Sequence, residues 1–144
     1  MNKTIYIAFV CTGNTCRSPM AEAIFNSLAE NTNKRIIAES FGINTITGLP
    51  VSDNSKSACK EIDIDISNFT STSINDVDLK KYSKFYCMSK SHAEVLILMY
   101  GIKPEYISVL NISDPYGGSL ETYRQCRDEI YNSVKEIILQ INKS

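Results

Sequence analysis

The junction over residues 4–28 constrains the fold more than any other stretch. Thr4-Ile-Tyr-Ile-Ala-Phe-Val10 is a nearly unbroken apolar, β-favouring run, without the alternation of a strand that faces water on one side. A polar loop follows, Cys11-Thr-Gly-Asn-Thr-Cys-Arg-Ser18, and then Pro19, which suits the first turn of a helix because its missing N–H costs nothing there. Met20, Ile24 and Leu28, with Ala21 and Phe25 beside them, recur at helical spacing. A strand covered on both faces calls for a parallel sheet with helices on either side.

The remainder of the chain repeats the alternation. Residues 35–40 (RIIAES) predict a second strand, and Gly42 to Ser52 a loop. A helix is expected from Asp53 to about Ile62, and loop with a short helix near Asp76 over 63–80. Lys84 to Met88 reads as a third strand. Ser91-His-Ala-Glu94 has the pattern of a capping box, Val95, Leu96, Leu98 and Met99 populate the helix it opens, and Gly101 supplies the stop. Glu105 to Leu110 predicts a fourth strand, and Ser119 to Ile141 a last helix with Tyr123, Ile130, Val134, Ile137 and Ile141 on one face. Parallel strands joined by right-handed crossovers bind ligands at their carboxyl ends. The loops 11–18 and 111–118 each follow a strand, so both should open on the same edge.

Composition narrows the partners. At 144 residues the chain is expected to be one domain, 1–144. Fifteen Lys and Arg against sixteen Asp and Glu leave a net charge of −1, which argues against a nucleic-acid or anionic-membrane surface. No apolar run approaches the ~18 residues that span a bilayer. The start, MNKTIYIAFVCTGN, lacks the cleavage region of a signal peptide, so a cytoplasmic protein is expected. Five cysteines, an odd number without an export signal, argue against a disulfide framework.

Loop 11–18 is where chemistry is expected. Backbone N–H groups in a tight curl ahead of a helix form an anion cradle. Gly13 offers a φ > 0 conformation for that curl. Arg17 adds a planar fork for two phosphate oxygens. Cys11 would lie at the floor, where the helix N-terminus and the guanidinium should lower its pKa and make it a thiolate nucleophile. Other readings fit worse. No Gly-Lys-Ser/Thr ending and no trio of spaced glycines is present for a nucleotide loop. Cys11 and Cys16 are five apart, wrong for zinc or CxxC redox spacing, and a Cys–His pairing with His92 leaves Arg17 unexplained. Asp114, stiffened by Pro115 after the fourth strand, supplies the acid that a phosphoryl leaving group needs. No metal or cofactor is required.

VCTGNTCRSPMAEA (10–23) together with SDPYGGS (113–119) resembles the low-molecular-weight protein tyrosine phosphatase family, in order and at opposite ends of the chain. Ser40-Phe-Gly42 after the second strand and Cys87-Met88 extend the likeness. The resemblance implies an α/β, flavodoxin-like fold: a four-stranded parallel sheet with helices on both faces. It implies Cys11 as nucleophile, Arg17 as phosphate clamp and Asp114 as general acid, with Thr12, Gly13, Asn14, Thr15, Cys16, Ser18 and Tyr116 around the phosphate. Ser18 would hydrogen-bond the thiolate, and Asn14 would brace the loop against Ser40. Phosphorylated proteins are the expected partners, and a monomer is the family-like default.

Within that family, Thr15, where tyrosine-directed members commonly carry Ile, and Asp114-Pro-Tyr-Gly-Gly118 resemble the protein arginine phosphatase branch. A shorter, hydroxyl-bearing wall suits a guanidino group, whereas Ile suits a flat phenyl ring. Phosphoarginine is therefore the expected substrate and phosphotyrosine the alternative. Arsenate reduction and non-catalytic phosphate binding rank lower. Thioredoxin-linked arsenate reductases share this fold but need two further cysteines close together, and residues 88–125 hold none.

Several residues admit two readings. Cys16 is either a partner for a reversible disulfide with Cys11, as the family resemblance implies, or a packed loop residue. Cys59, Cys87 and Cys126 are expected in the core. His92 reads as a surface or bracing residue at a helix start, and Tyr116 as a wall of the pocket mouth or a cap on the sheet edge. Asp53, Asp63 and Asp65 read as solvated charges, and Ser113 as shaping the acid loop.

Overall fold

A computed structural model describes residues 3–30, 32 and 35–143. Met1, Asn2, Asn31, Asn33, Lys34 and Ser144, all inside the expected 1–144 domain, lie outside the described residues. The elements run β1 (Ile5–Cys11), α1 (Arg17–Ala29), β2 (Ile36–Gly42), α2 (Asp53–Lys60), β3 (Tyr82–Cys87), α3 (Lys90–Tyr100), β4 (Ile107–Val109) and α4 (Leu120–Lys143). All strand pairs are parallel, in the order β2-β1-β3-β4.

The apolar run at the start becomes β1, paired on both edges. Its side chains alternate between two cores, as a pleated strand requires. Ile7, Phe9 and Cys11 join Met20, Ile24 and Phe25 of α1 and Ile130, Val134 and Ile137 of α4. Ala8 and Val10 join Phe41, Phe85, Cys87 and, from α3, Ala93 and Leu96. Cys59, Cys87 and Cys126 are buried as expected, Cys87 on the α3 side and the other two on the α1–α4 side. No helix among the described residues is long and apolar enough to cross a membrane.

The element boundaries depart from the sequence reading where pairing partners decide them. β2 runs two residues past Ser40, because Phe41 and Gly42 pair with Val10 and Cys11. Ser40-Phe-Gly42 therefore belongs to the strand rather than following it. β3 begins at Tyr82, whose ring packs on Phe41 and Phe85 at 5.9 and 5.8 Å. β4 keeps only Ile107–Val109, because Pro104 opens a 3-10 turn over Pro104–Tyr106. α2 stops at Lys60, and the chain turns away through Asp63 at φ 62°. The 63–80 segment holds one 3-10 turn, Ile74–Asp76, and a second, Leu79–Lys81, runs one residue past its end.

The capping box of α3 is also displaced. It is formed by Ser89 and His92, with the imidazole taking the role usually filled by Glu or Gln. Ser91 and Glu94 do not form it. His92 is consequently buried, which excludes the surface reading and keeps the bracing one. Leu98 and Met99 lie in this helix as expected, but they are 81% and 73% exposed.

Candidate active site

The chain leaves β1 for β2 on one side and later reaches β3 on the other. Connections therefore diverge at the carboxyl end of β1, where doubly wound sheets bind ligands. Cys11 is the last residue of that strand.

The next six residues are pinned from outside. Cys11 C=O accepts from Ile43 N–H and Thr12 C=O from Asn44 N–H, both at 3.0 Å. Thr15 C=O accepts from Ser52 N–H at 2.9 Å, and Cys16 C=O from Ser55 Oγ at 3.3 Å. Every peptide bond among the described residues is trans, so each N–H opposes the preceding carbonyl. With four carbonyls bonded outward, the N–H groups of Thr12, Gly13, Cys16 and Arg17 turn toward the hollow of the loop. α1 begins at Arg17 with no side-chain cap and no acidic residue in its first turn, which leaves its N-terminal dipole for an anion.

The curl is made at Asn14, not at Gly13. Asn14 has φ 56°, a left-handed conformation that asparagine tolerates, whereas Gly13 is not among the positive-φ glycines. Fully buried, Asn14 is bonded on both ends of its amide. Nδ2 donates to Ser18 Oγ at 2.7 Å and to Ser40 Oγ at 3.0 Å, and Oδ1 accepts from Thr72 N–H at 2.8 Å. Ser40 Oγ donates in turn to Glu22 Oε1 at 2.8 Å. Ser18 Oγ lies 2.8 Å from Cys11 Sγ, and Asn14 N–H donates to the same sulfur at 3.2 Å.

The expectation of a lowered Cys11 pKa is not met in this arrangement. Burial is the largest influence and raises it. The Ser18 hydroxyl, the N–H groups of Ser18 and Asn14, and Arg17 all act in the lowering direction. Arg17 contributes least because its guanidinium is turned to the acid loop. Nη1 donates to Ile112 C=O at 2.9 Å, and Nη2 lies 3.9 Å from Asp114 Oδ2.

Cys11, Thr12, Gly13, Asn14, Thr15, Cys16 and Arg17 share one cavity of about 240 Å³ with Asp114 and Tyr116. Every expected site residue except Ser18 lines it, and Ser18 stands behind the sulfur. Tyr116 is 81% exposed and forms a wall of the mouth rather than a cap on the sheet. A wider groove of about 410 Å³ adjoins, lined in part by Thr15, Cys16, Ser52, Tyr116 and Tyr123. Cys16 is a free, buried thiol 3.4 Å from Tyr123 Oη. Burial and the neighbouring Cys16 push the Tyr123 hydroxyl up to about 12.

Four contributors were not assigned from sequence. Glu22 ends the chain of hydrogen bonds that starts at Cys11. His92 Nε2 lies 2.9 Å from Thr12 Oγ1. Tyr123, read only as a core residue, reaches the loop with its hydroxyl. Gly42 faces the loop so closely that a Cβ there would sit 2.6 Å from Thr12 O. Gly42 stands in Ser40-Phe-Gly42, Glu22 in VCTGNTCRSPMAEA (10–23), and His92 reads as a bracing residue without a partner named; the reach of the Tyr123 hydroxyl has no signal in the sequence.

Known proteins resemble this chain over most of its length. Residues 6–144 match the family described as low molecular weight phosphotyrosine protein phosphatase. A protein-arginine-phosphatase of Bacillus subtilis (strain 168) is 30% identical, over 95% of this chain and 97% of the relative. An arsenate reductase of Staphylococcus aureus (strain N315) is 35% identical, over 96% and 98%. The crystal structure of a low molecular weight protein tyrosine phosphatase from T. tengcongensis superimposes with a TM-score of 0.89 at 34% identity, covering 95% of this chain and 99% of that one. The likeness in sequence and fold thus runs over nearly the full length, and the chain belongs to the low molecular weight phosphotyrosine protein phosphatase family.

Proposed function

We propose that this phosphatase hydrolyses phosphoarginine in proteins through a cysteinyl-phosphate intermediate, in the cytoplasm. The observation that carries the reading is the meeting of Cys11, inward backbone donors, Arg17 and Asp114 at one cavity walled by Thr15. In the first step Cys11 attacks phosphorus as the thiolate, the form that the Ser18 hydroxyl, the N–H groups of Ser18 and Asn14, and Arg17 all favour against the burial that opposes it. The phosphorus–nitrogen bond breaks, and Asp114, as the acid, gives its proton to the leaving nitrogen. In the second step water attacks phosphorus and passes a proton to the Asp114 carboxylate. The sulfur–phosphorus bond breaks and inorganic phosphate leaves. Cradle N–H groups and Arg17 stabilise the charge on the three non-bridging oxygens.

Phosphoarginine is favoured by three features. The Thr15 hydroxyl stands at the cavity wall, where it can contact a guanidino group. Asp114 is able to pair with that group as it departs. Gly117, at φ 80°, adds no second aromatic beside Tyr116. Phosphotyrosine is the second reading, favoured by the exposed Tyr116 ring, against which a phenyl ring would stack. Arsenate reduction is disfavoured, because Cys59, Cys87 and Cys126 are buried in the two cores, Cys87 ends strand β3, and residues 88–125 hold no second cysteine to relay a disulfide with it.

The test compares kcat/KM on phosphoarginine and phosphotyrosine peptides for the wild type and Thr15→Ile. The wild type is expected to prefer phosphoarginine, and Thr15→Ile to move preference toward phosphotyrosine by about 10- to 100-fold. A wild-type preference for phosphotyrosine of about tenfold or more would reject the arginine assignment and leave the phosphatase assignment standing.

A further inference from the structure

The bond between His92 and Thr12 joins the first residue of the cradle to the start of α3, across 80 positions of sequence. His92 is 1% exposed, and its ring is bonded at both nitrogens. Nδ1 accepts from Ser89 N–H at 3.1 Å and lies 3.0 Å from Ser89 Oγ. Burial, with Arg17 nearby, holds the ring pKa down at about 4, so the imidazole is neutral near pH 7. A neutral ring has one N–H. The backbone donor at Nδ1 places that hydrogen on Nε2, which must donate to Thr12 Oγ1.

A hydroxyl that accepts here keeps its own proton to give elsewhere. Thr12 Oγ1 has no other hydrogen-bond partner among the described residues, and Thr12 lines the 240 Å³ cavity beside Cys11 and Arg17. Its backbone is equally constrained, with Thr12 C=O held by Asn44 N–H. Rotation about χ1 is the freedom left to this residue, and the imidazole removes it.

Given the phosphatase reading above, we propose that His92 is a positioning residue for phosphoryl transfer: its Nε2–H orients Thr12 so that the Thr12 hydroxyl donates to an oxygen of the transferred phosphoryl group. The contact concerns the phosphoryl oxygens, so it serves every phosphorylated substrate alike. It acts independently of Thr15, which the arginine reading assigns to the leaving group.

Four variants separate this role from mere support of the fold. Thr12→Val removes the hydroxyl at an exposed position. His92→Asn keeps an acceptor for Ser89 N–H but is too short to reach Thr12, and His92→Gln keeps a donor at the Nε2 position. The fourth is the double variant Thr12→Val/His92→Asn. The readouts are kcat/KM on p-nitrophenyl phosphate and on a phosphoarginine peptide, and calorimetric binding of inorganic phosphate, which needs no turnover. Thr12→Val and His92→Asn should each lower kcat/KM about tenfold on both substrates and weaken phosphate binding. The double variant should be no worse than either single one, and His92→Gln should recover to within about threefold of wild type.

Thr12→Val within about twofold of wild type in both turnover and phosphate affinity would overturn the proposal. So would a His92→Asn effect that persists in full when Thr12 is already Val. Turnover of neither substrate by the wild type would reject the phosphatase reading instead, and phosphate calorimetry would still decide the role of Thr12.

Discussion

Two loops meet over Cys11, and they are built in opposite ways. Loop 11–17 is held at four outward carbonyls and through both ends of the Asn14 amide, and its sulfur is buried. Loop 111–118 exposes Ser113, Asp114, Tyr116 and Gly117 and tucks in Ile112 and Pro115. Its internal bonds are Tyr116 N–H to Asp114 Oδ1 at 3.0 Å and Gly118 N–H to Pro115 C=O at 2.8 Å. The contrast follows from what each must do. A cradle stabilises developing charge only if its donors are fixed beforehand, at no cost during the reaction. An acid must approach the leaving group, release its proton and take another from water, which suits a solvated carboxyl on a lightly held turn.

The comparison predicts that substitutions in the acid loop affect rate, while substitutions around the cradle affect rate and stability together. The largest expected effect is that of Asp114→Asn, which removes the proton donor without touching the scaffold. Its kcat on a phosphoarginine peptide should fall about 10²- to 10⁴-fold. Its Tm should stay near wild type, because the carboxyl is half exposed and its 3.9 Å approach to Arg17 is long. A large drop in Tm would show that the acid loop carries structure after all.

Paired glycine substitutions break the comparison more finely. Gly42→Ala drives a methyl into the Thr12 carbonyl, a backbone atom that cannot swing aside, and should cost about 1–3 kcal/mol together with much of the activity. Gly117→Ala meets nothing within 4 Å, and its cost is the strain of φ 80°, on the order of 1 kcal/mol. Denaturant titration of the two variants measures both. Equal costs would refute the claim that the cradle is the more tightly specified loop.

The smallest effect concerns pH. Burial is the main cause that raises Glu22 from 4.5 to about 7; the Ser40 hydrogen bond opposes it and Glu39 reinforces it. A carboxyl whose folded pKa exceeds its unfolded one contributes most stability below about 4.5 and loses it as pH rises through 7. Glu22→Gln keeps an oxygen for Ser40 and removes the charge. It should therefore raise Tm at pH 8 and leave it nearly unchanged at pH 4, a difference on the order of 1–2 kcal/mol. No dependence on pH would mean that Glu22 is paired or solvated.

Much of this was legible in the sequence, for physical reasons. A strand buried on both faces reads as a continuous apolar run, and β1 stands where that run predicts. Loop 11–18 carried its own chemistry in adjacent residues. Boundaries were less legible, because pairing decides them: Phe41 and Gly42 are strand only because Val10 and Cys11 lie beside them. Contacts between distant positions were not legible. Nothing local in Ser89 to Glu94 says that His92 turns to Thr12, and nothing in the apolar face of α4 says that the Tyr123 hydroxyl reaches Cys16 across 107 positions. The direction of the Cys11 shift was misjudged for a related reason. Nearby charge was visible in the sequence, whereas the depth of burial that outweighs it was not.

The central claim is that Cys11 itself takes the phosphoryl group. In Asp114→Asn, p-nitrophenyl phosphate brings a leaving group that needs little acid, so the first step survives while attack by water is slowed. Rapid quenching followed by peptide mapping should find phosphate on Cys11, approaching one per chain, and none in the variant that also carries Cys11→Ala. Phosphate recovered on another residue, or turnover that persists with alanine at position 11, would contradict the account.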